Sequence, residues 1–274
     1  MGRRLSLWPL VLVLGLLAPA SAQPLATASA RQSESLTGPR SALPKNWIGL
    51  RSLPAATEIL VMAGHADSQG IAGSGTAGAA VALAGLAPMQ PGITDELYWN
   101  LAVAQAVVAR GQLRGLNIRY YEPPLRTIHH QDDPRTNWSV GQRHVRSGGY
   151  ALEIHFDAYG SSGIGSGVIP ALQGPFTRVD ESLAAAFGAY PMGFRGGLGG
   201  PRRGVTLLEI GKLEGALEAT LRDPSRREAA IAFIADRVAL ALAGGLDQPL
   251  VSPPPRGVGS VPPGRGHPAS SGGG

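Results

Sequence analysis

Cysteine is absent from all 274 residues. The chain therefore forms no disulfide, carries no thiol nucleophile and offers no thiolate to a metal. Any metal it holds must be bound by histidine, aspartate or glutamate. Aromatic residues make up only 5% of the chain and no basic stripe is interleaved with them, so a nucleic-acid partner has no support despite a net charge of +5. Compact catalytic motifs are missing as well. There is no HExxH pair of zinc ligands, and the glycine loops at 70–78 and 160–167 lack the spacing of a phosphate cradle. Ser161-Ser162 has no G-x-S-x-G context, which excludes the usual serine-hydrolase elbow. Beyond the first 22 residues no apolar run approaches the roughly 20 residues that a membrane-spanning helix needs.

What is present begins with a secretory pattern. Arg3 and Arg4 precede an apolar run from Leu5 to Leu17, and Ala20-Ser21-Ala22 supplies a small-x-small cleavage site. The expectation is a signal peptide over 1–22 and export to the periplasm or cell envelope. Residues 23–54 are expected to be a linker, with Trp47-Ile48-Gly49-Leu50 able to dock on the domain. The stretch 246–274 is mostly Pro, Gly and Ser and predicts disorder. That leaves a single domain over 55–245, expected to be monomeric and of ordinary size for one core.

Within that domain, Glu58-Ile59-Leu60-Val61-Met62 predicts a buried strand that delivers His65 at its carboxyl end. A Gly/Ala-rich loop follows from Ala66 to Gly92, with one short helix between Ala77 and Leu86. Thr94 is placed to cap a helix that carries Asp95 and Glu96 in its first turn and ends at Gly111 or Gly115. Asn117–Tyr121 alternates as a second strand, and a polar stretch to Gly149 carries His129, His130 and His144. Tyr150–Gly160 is the next strand, Arg178–Ala189 a helix, Phe194–Gly204 a loop, Val205–Ile210 a further strand, and Ser225–Ala243 a long closing helix. Strands alternating with helices predict an α/β fold: one layered domain with a central, mostly parallel sheet flanked by helices. In such sheets function collects at the carboxyl ends of the strands, where His65, His155 and Glu209 fall.

The segment with the most chemistry is Leu152-Glu153-Ile154-His155-Phe156-Asp157. Its two-residue period puts Glu153, His155 and Asp157 on one face of an otherwise apolar strand. Burying three ionisable groups there is costly unless they bind something, although an edge strand with one wet face would show the same alternation. If His65, Glu96 and His155 meet, two imidazoles and a carboxylate with an open position form the ligand set of a hydrolytic zinc site. Asp95 is adjacent to Glu96, and either acid could instead serve only the helix N-terminus. Glu209, a lone acid in an apolar strand, is placed to move protons; Arg195 or Arg203 could instead hold it in an ion pair. Asp67, Glu153 and Asp157 are expected to orient the histidines or meet substrate, and Arg195 is kept with them.

The ordered series strand-Gly64-His65, Glu96 with Asn100-Leu101-Ala102, Ile154-His155-x-Asp157-Ala158 and Leu207-Leu208-Glu209-Ile210-Gly211 resembles the zinc-dependent N-acetylmuramoyl-L-alanine amidases of the type 3 family. A strand from Arg119 followed by Arg126 fits the same pattern, and the likeness covers residues 57–243. The resemblance implies that His65, Glu96 and His155 bind zinc and that Glu209 is the catalytic glutamate. It implies hydrolysis of the amide between N-acetylmuramic acid and L-alanine, with peptidoglycan as the partner. The chain departs from the family at Asp157, at Lys212-Leu213-Glu214, and through the Ala66–Gly92 and Glu122–Gly149 insertions. Two other functions fit the residues: a zinc peptidase or amidohydrolase acting on another small amide, and a catalytically silent module that binds the wall.

Overall fold

The computed structural model describes residues 36–38 and 47–247. The expected signal peptide, most of the linker and the tail from 248 lie outside the described residues. Five strands form one sheet in the order β2-β1-β3-β5-β4. They are β1 (Ile59–Ala63), β2 (Ile118–Tyr121), β3 (Tyr150–Asp157), β4 (Gly167–Ile169) and β5 (Thr206–Lys212). The pairs β1–β2, β1–β3 and β3–β5 are parallel, and β4 lies antiparallel on β5. The helices are α1 (Ala79–Ala82), α2 (Asp95–Leu113), α3 (Asn137–Arg146), α4 (Arg178–Phe187), α5 (Phe194–Gly197), α6 (Gly199–Arg202), α7 (Gly215–Arg222) and α8 (Arg227–Gly245). The expected α/β architecture is the observed one.

Both faces of the sheet are covered, which explains why β1 reads as an unbroken apolar run with every residue buried. On one face α2, α4 and α8 pack Leu97, Trp99, Leu183, Phe187, Ile234 and Val238 against Ile59, Val61, Leu152, Ile154 and Leu208. The other face is thinner. There α3 and the chain around α5 and α6 cover Leu60, Met62, Ala151, Val205 and Leu207. Glu153 and His155 point to this second side, since they alternate with the apolar Leu152, Ile154 and Phe156 of the larger core.

The helix starts follow from side-chain capping. The Thr94 hydroxyl accepts the Leu97 N–H at 3.2 Å, so α2 begins at Asp95 and presents Glu96 in its first turn. Thr177 and Asp180 form a reciprocal capping box at the start of α4. α2 gives way at Arg114 and Gly115, where Gly115 adopts a φ of 75° that terminates helices without side-chain strain.

Several local expectations differ from the structure. The polar stretch before Gly149 contains α3, whose sequence Asn-Trp-Ser-Val-Gly-Gln-Arg-His-Val-Arg is polar on average although its apolar residues do gather on one helical face. His144 is accordingly a helix residue: it is buried, and its Nε2–H donates to the Glu58 carbonyl at 2.9 Å. β4 is only three residues long, below the length at which alternation can be read. Phe194–Gly204, expected as a loop, winds into the single turns α5 and α6, and α7 precedes the closing helix. Trp47 does dock, stacking on Phe176 with ring centroids 4.8 Å apart, and Leu53 is also buried, so the packed unit reaches back past residue 55. No helix among the described residues is long and apolar enough to cross a membrane.

Candidate metal centre

β1 ends at Ala63, and the chain turns through Gly64 into His65, the one non-glycine residue with a left-handed backbone among the described residues, at φ 62°. Such a conformation costs roughly 1 kcal/mol or more and persists where the surroundings enforce it, typically at functional sites. Several bonds hold it here. The His65 carbonyl accepts the Gln69 side-chain amide at 3.0 Å, and the His65 Nδ1 meets the Ser74 hydroxyl at 3.1 Å. Ser74 is in turn bonded to the Ser68 hydroxyl. With Nδ1 occupied, Nε2 of His65 is turned to Glu96, 3.3 Å from its Oε1.

Glu96 is buried although it stands in a first helical turn. Its Oε2 accepts the Thr76 backbone N–H at 2.7 Å, which frees Oε1 to face both histidines. Asn100, one helical turn later, donates from Nδ2 to the Gly64 carbonyl at 3.1 Å and lies 3.5 Å from Glu96 Oε1. β3 brings in His155, whose Nδ1 is 3.2 Å from the same Glu96 oxygen. One donor atom from each of His65, Glu96 and His155 lies within 4.8 Å of the others. Ligands arranged tetrahedrally around zinc at about 2.1 Å are separated from each other by about 3.4 Å, close to the two measured Glu96–histidine distances. The residues present fit a cation of that kind.

Electrostatics point the same way. Burial acting alone would raise the carboxyl of Glu96, yet the charge and hydrogen bonds of His65 and His155 hold it well below the usual carboxylate range. Burial would lower the imidazole of His155, but Glu153 and Glu96 raise it well above its ordinary value. The site is thus built to hold positive charge beside Glu96. Among the buried atoms without partners here are Nε2 of His155 and Oε2 of Glu153, which face each other at 3.7 Å. Oε1 of Glu153 accepts from Asn137 Nδ2 at 2.9 Å, and the same amide binds the Ala63 carbonyl at 2.7 Å.

Glu209 occupies the β5 position registered against His155. Its Oε2 is buried without a partner, and burial pushes its carboxyl up to about 8, with His155 opposing the shift and Glu96, Asp157 and Glu153 adding to it. A proton-holding carboxylate poised near neutrality is what general acid–base work requires. Glu209, His65, His155, Glu153 and Asp67 all line one cavity of about 450 Å³, whose remaining wall includes Ile71, Ile128, Trp138, Leu198 and Leu207.

Not every expected residue reaches this place. Asp157 follows a register shift in which two residues of β3 oppose three of β5. Its carboxylate is spent on the backbone amides of Ala158, Ile164 and Gly165, so it organises the loop after β3. Arg195 is also elsewhere: it donates to the carbonyls of Pro170, Ala171 and Leu172 and stacks on Phe176. Arg203 pairs with Asp132, so neither arginine neutralises Glu209. Asp67 does lie at the cavity, where Oδ2 accepts the Asn137 N–H at 2.7 Å, and His129 is on its rim while His144 is not. Ser74, Thr76, Asn137 and Trp138 were not legible as site residues. They lie in an insertion or at the start of a short polar helix, and only the position of Ser74 between Gly73 and Gly75 marks the first of them.

No protein-family model matches the chain, and no curated protein matches it. Solved structures do. The chain is similar to N-acetylmuramoyl-L-alanine amidases. One is the apo N-acetylmuramyl-L-alanine amidase from Mycobacterium abscessus, at 18% identity over 70% of this chain and 97% of that one, with a TM-score of 0.41. Another is the catalytic domain of an N-acetylmuramoyl-L-alanine amidase from Bacillus (Paenibacillus) polymyxa var. colistinus, at 19% identity, covering 69% and 96%, with a TM-score of 0.38. A third is the catalytic domain of an endolysin targeting Clostridia difficile, at 15% identity, covering 70% and 99%, with a TM-score of 0.43.

Proposed function

We propose that this protein is an exported zinc hydrolase that cleaves the amide between N-acetylmuramic acid and L-alanine in peptidoglycan. The observation that carries the reading is the convergence of His65, Glu96 and His155, with their donor atoms within 4.8 Å of one another, on the cavity that the unpartnered carboxylate of Glu209 also lines. His65, Glu96 and His155 would hold the cation. When bound, it supplies Lewis acidity, polarising an amide carbonyl and lowering the pKa of a water.

The chain's own residues do the rest. Glu96 is fixed by Thr76, and His65 is fixed by Ser74, so both ligands are oriented before anything binds. Glu153 sits behind His155, its Oε2 3.7 Å from the ring's Nε2, on the side opposite the Nδ1 that faces Glu96. Glu209 takes a proton from the attacking water as the water oxygen bonds to the carbonyl carbon. It returns that proton to the amine nitrogen as the C–N bond breaks, leaving a carboxylic acid on the muramic acid and a free amine on the peptide. Ile71, Ile128, Trp138, Leu198 and Leu207 give the cavity an apolar wall beside these groups.

The substrate is read from the ordered series of residues that resembles the type 3 amidases, and the basic, apolar, small-residue start of the chain supports export to the envelope. The test has two readouts on purified protein: metal content, and release of stem peptides from wall sacculi. Zinc near one equivalent and peptide release that is lost in Glu209→Gln support the reading. A zinc-free active protein, or full activity in that variant, overturns it. Binding of sacculi with no release in the zinc-loaded protein would identify a silent wall-binding module instead.

A further inference from the structure

We propose that the cavity selects amide substrates whose groups beside the scissile bond are uncharged or cationic, and that Asp67 is the charge enforcing this choice. The inference rests on the hydrolase reading and adds a substrate class to it: stem peptides whose carboxyl groups are blocked as carboxamides, or that carry a side-chain amine, in preference to those with free carboxylates.

The charges on the cavity wall lead there. Its lining contains three carboxylates, Asp67, Glu153 and Glu209, and neither lysine nor arginine. His129 on the rim is the only other ionisable base besides the two candidate ligands. Among the nearby guanidinium groups, Arg203 is engaged with Asp132 and lies over the Trp138 ring, and Arg195 is engaged with backbone carbonyls. Arg126 is bonded to Glu122 through Nη2, keeps its Nη1 unpartnered, and is not part of the cavity lining. Among the described residues no guanidinium fork lines the cavity to receive an incoming carboxylate. Counting Glu96 and leaving out Glu209, whose burial favours its protonated form, three carboxylates surround a site whose cation would bring two positive charges, so carboxylate remains in surplus after the metal is counted.

Among these four acids, Asp67 is the one with a discriminating role. Glu96 faces the histidines, Glu153 lies behind His155, and Glu209 is assigned to proton transfer. Asp67 is half-buried on the wall two residues beyond His65, fixed by the Asn137 N–H, and has no cationic side chain bonded to it. The rest of the wall, from Ile71 and Ile128 to Gly197–Gly200 and Leu207, is neutral and suits an uncharged peptide. Repulsion between like charges across a partly desolvated cavity is worth about tenfold in affinity or more.

The experiment uses two synthetic N-acetylmuramoyl peptides that differ only in a free carboxylate or a carboxamide on the residue after L-alanine. Each is titrated by calorimetry into the zinc-loaded full chain carrying Glu209→Gln, and each is given to the zinc-loaded wild type for kcat/KM. The carboxamide is expected to bind at least about tenfold more tightly, with the ratio shrinking in high salt and in Asp67→Asn. Equal affinities, or tighter binding of the carboxylate, overturn the proposal, and the salt series on otherwise unaltered residues decides it even if Asp67→Asn does not fold. A binding preference without cleavage of either compound by the wild type would overturn the hydrolase reading while leaving the selectivity standing.

Discussion

The imidazole of His155 lies directly against Gly64: a Cβ on residue 64 would sit 2.3 Å from Cε1 of the ring and 2.5 Å from both ring nitrogens. Real Cβ atoms do not approach that closely, so the glycine is what lets the β3 histidine swing over the end of β1 toward Glu96. Its own φ lies outside the left-handed region, which makes the requirement one of space alone.

Gly64→Ala should therefore displace His155 without straining the backbone of residue 64. Zinc affinity, measured by competition with a chromophoric chelator, is expected to fall by roughly 10- to 100-fold, the range seen when metal-ligand orientation is disturbed. Unchanged affinity would mean that His155 is not a ligand.

Zinc should stabilise the fold through the same three residues. A cation that binds only the native state adds about 2.7 kcal/mol when present at a hundred times its Kd, so the Tm should climb with zinc and drop on chelation. Glu96→Gln is expected to flatten that climb, whereas His129→Ala, on the cavity rim, should leave it intact. A zinc-dependent Tm that survives in Glu96→Gln places the ion elsewhere.

The metal-free protein should lose stability with rising pH through Glu209. Burial raises its folded-state carboxyl to about 8, above the ordinary value of 4.5, so the native state holds a proton that the unfolded chain releases. Below pH 4.5 both states are protonated and there is no penalty. Between 4.5 and 8 the stability falls, by a total on the order of 5 kcal/mol from this group. Urea titrations of wild type and Glu209→Gln at pH 5 and pH 8 should show the variant gaining on the wild type as pH rises, and parallel curves would refute the assignment.

His144 offers a contrast. Its ring donates to the Glu58 carbonyl and approaches the Glu58 carboxylate at 3.4 Å, away from the cavity. His144→Ala removes one of the two donors to the Glu58 carbonyl, the Tyr150 N–H remaining at 2.9 Å, and is expected to cost about 0.5–1.5 kcal/mol in unfolding free energy, with zinc affinity unaltered. Reduced zinc binding at normal stability would be the contrary outcome.

The order of strands and helices, the capped start of α2 at Thr94 and the positions of His65, Glu96, His155 and Glu209 at element ends could all be read from the chain. Each is fixed by local chemistry: an apolar run, a hydroxyl before acids, a polar residue where a strand stops. The elements that escaped notice, among them α3, β4 and α5 to α7, are short or polar and take their form from what they pack on.

Sequence by itself therefore determined which residues are candidates for the chemistry and in what order they arrive. Tertiary structure decided which of them meet. Glu153 and Asp157 are two residues either side of His155 and identical to any reading by period, yet one lies behind the histidine and the other binds loop amides. Asp157 ends β3, beyond the register shift with β5, where the loop that follows folds back and offers it the amides of Ala158, Ile164 and Gly165. Likewise, the support that Ser74 and Thr76 give to His65 and Glu96 exists because the inserted loop folds back over the end of β1. Side-chain spacing is a property of one strand, but proximity across a sheet is set by its neighbours.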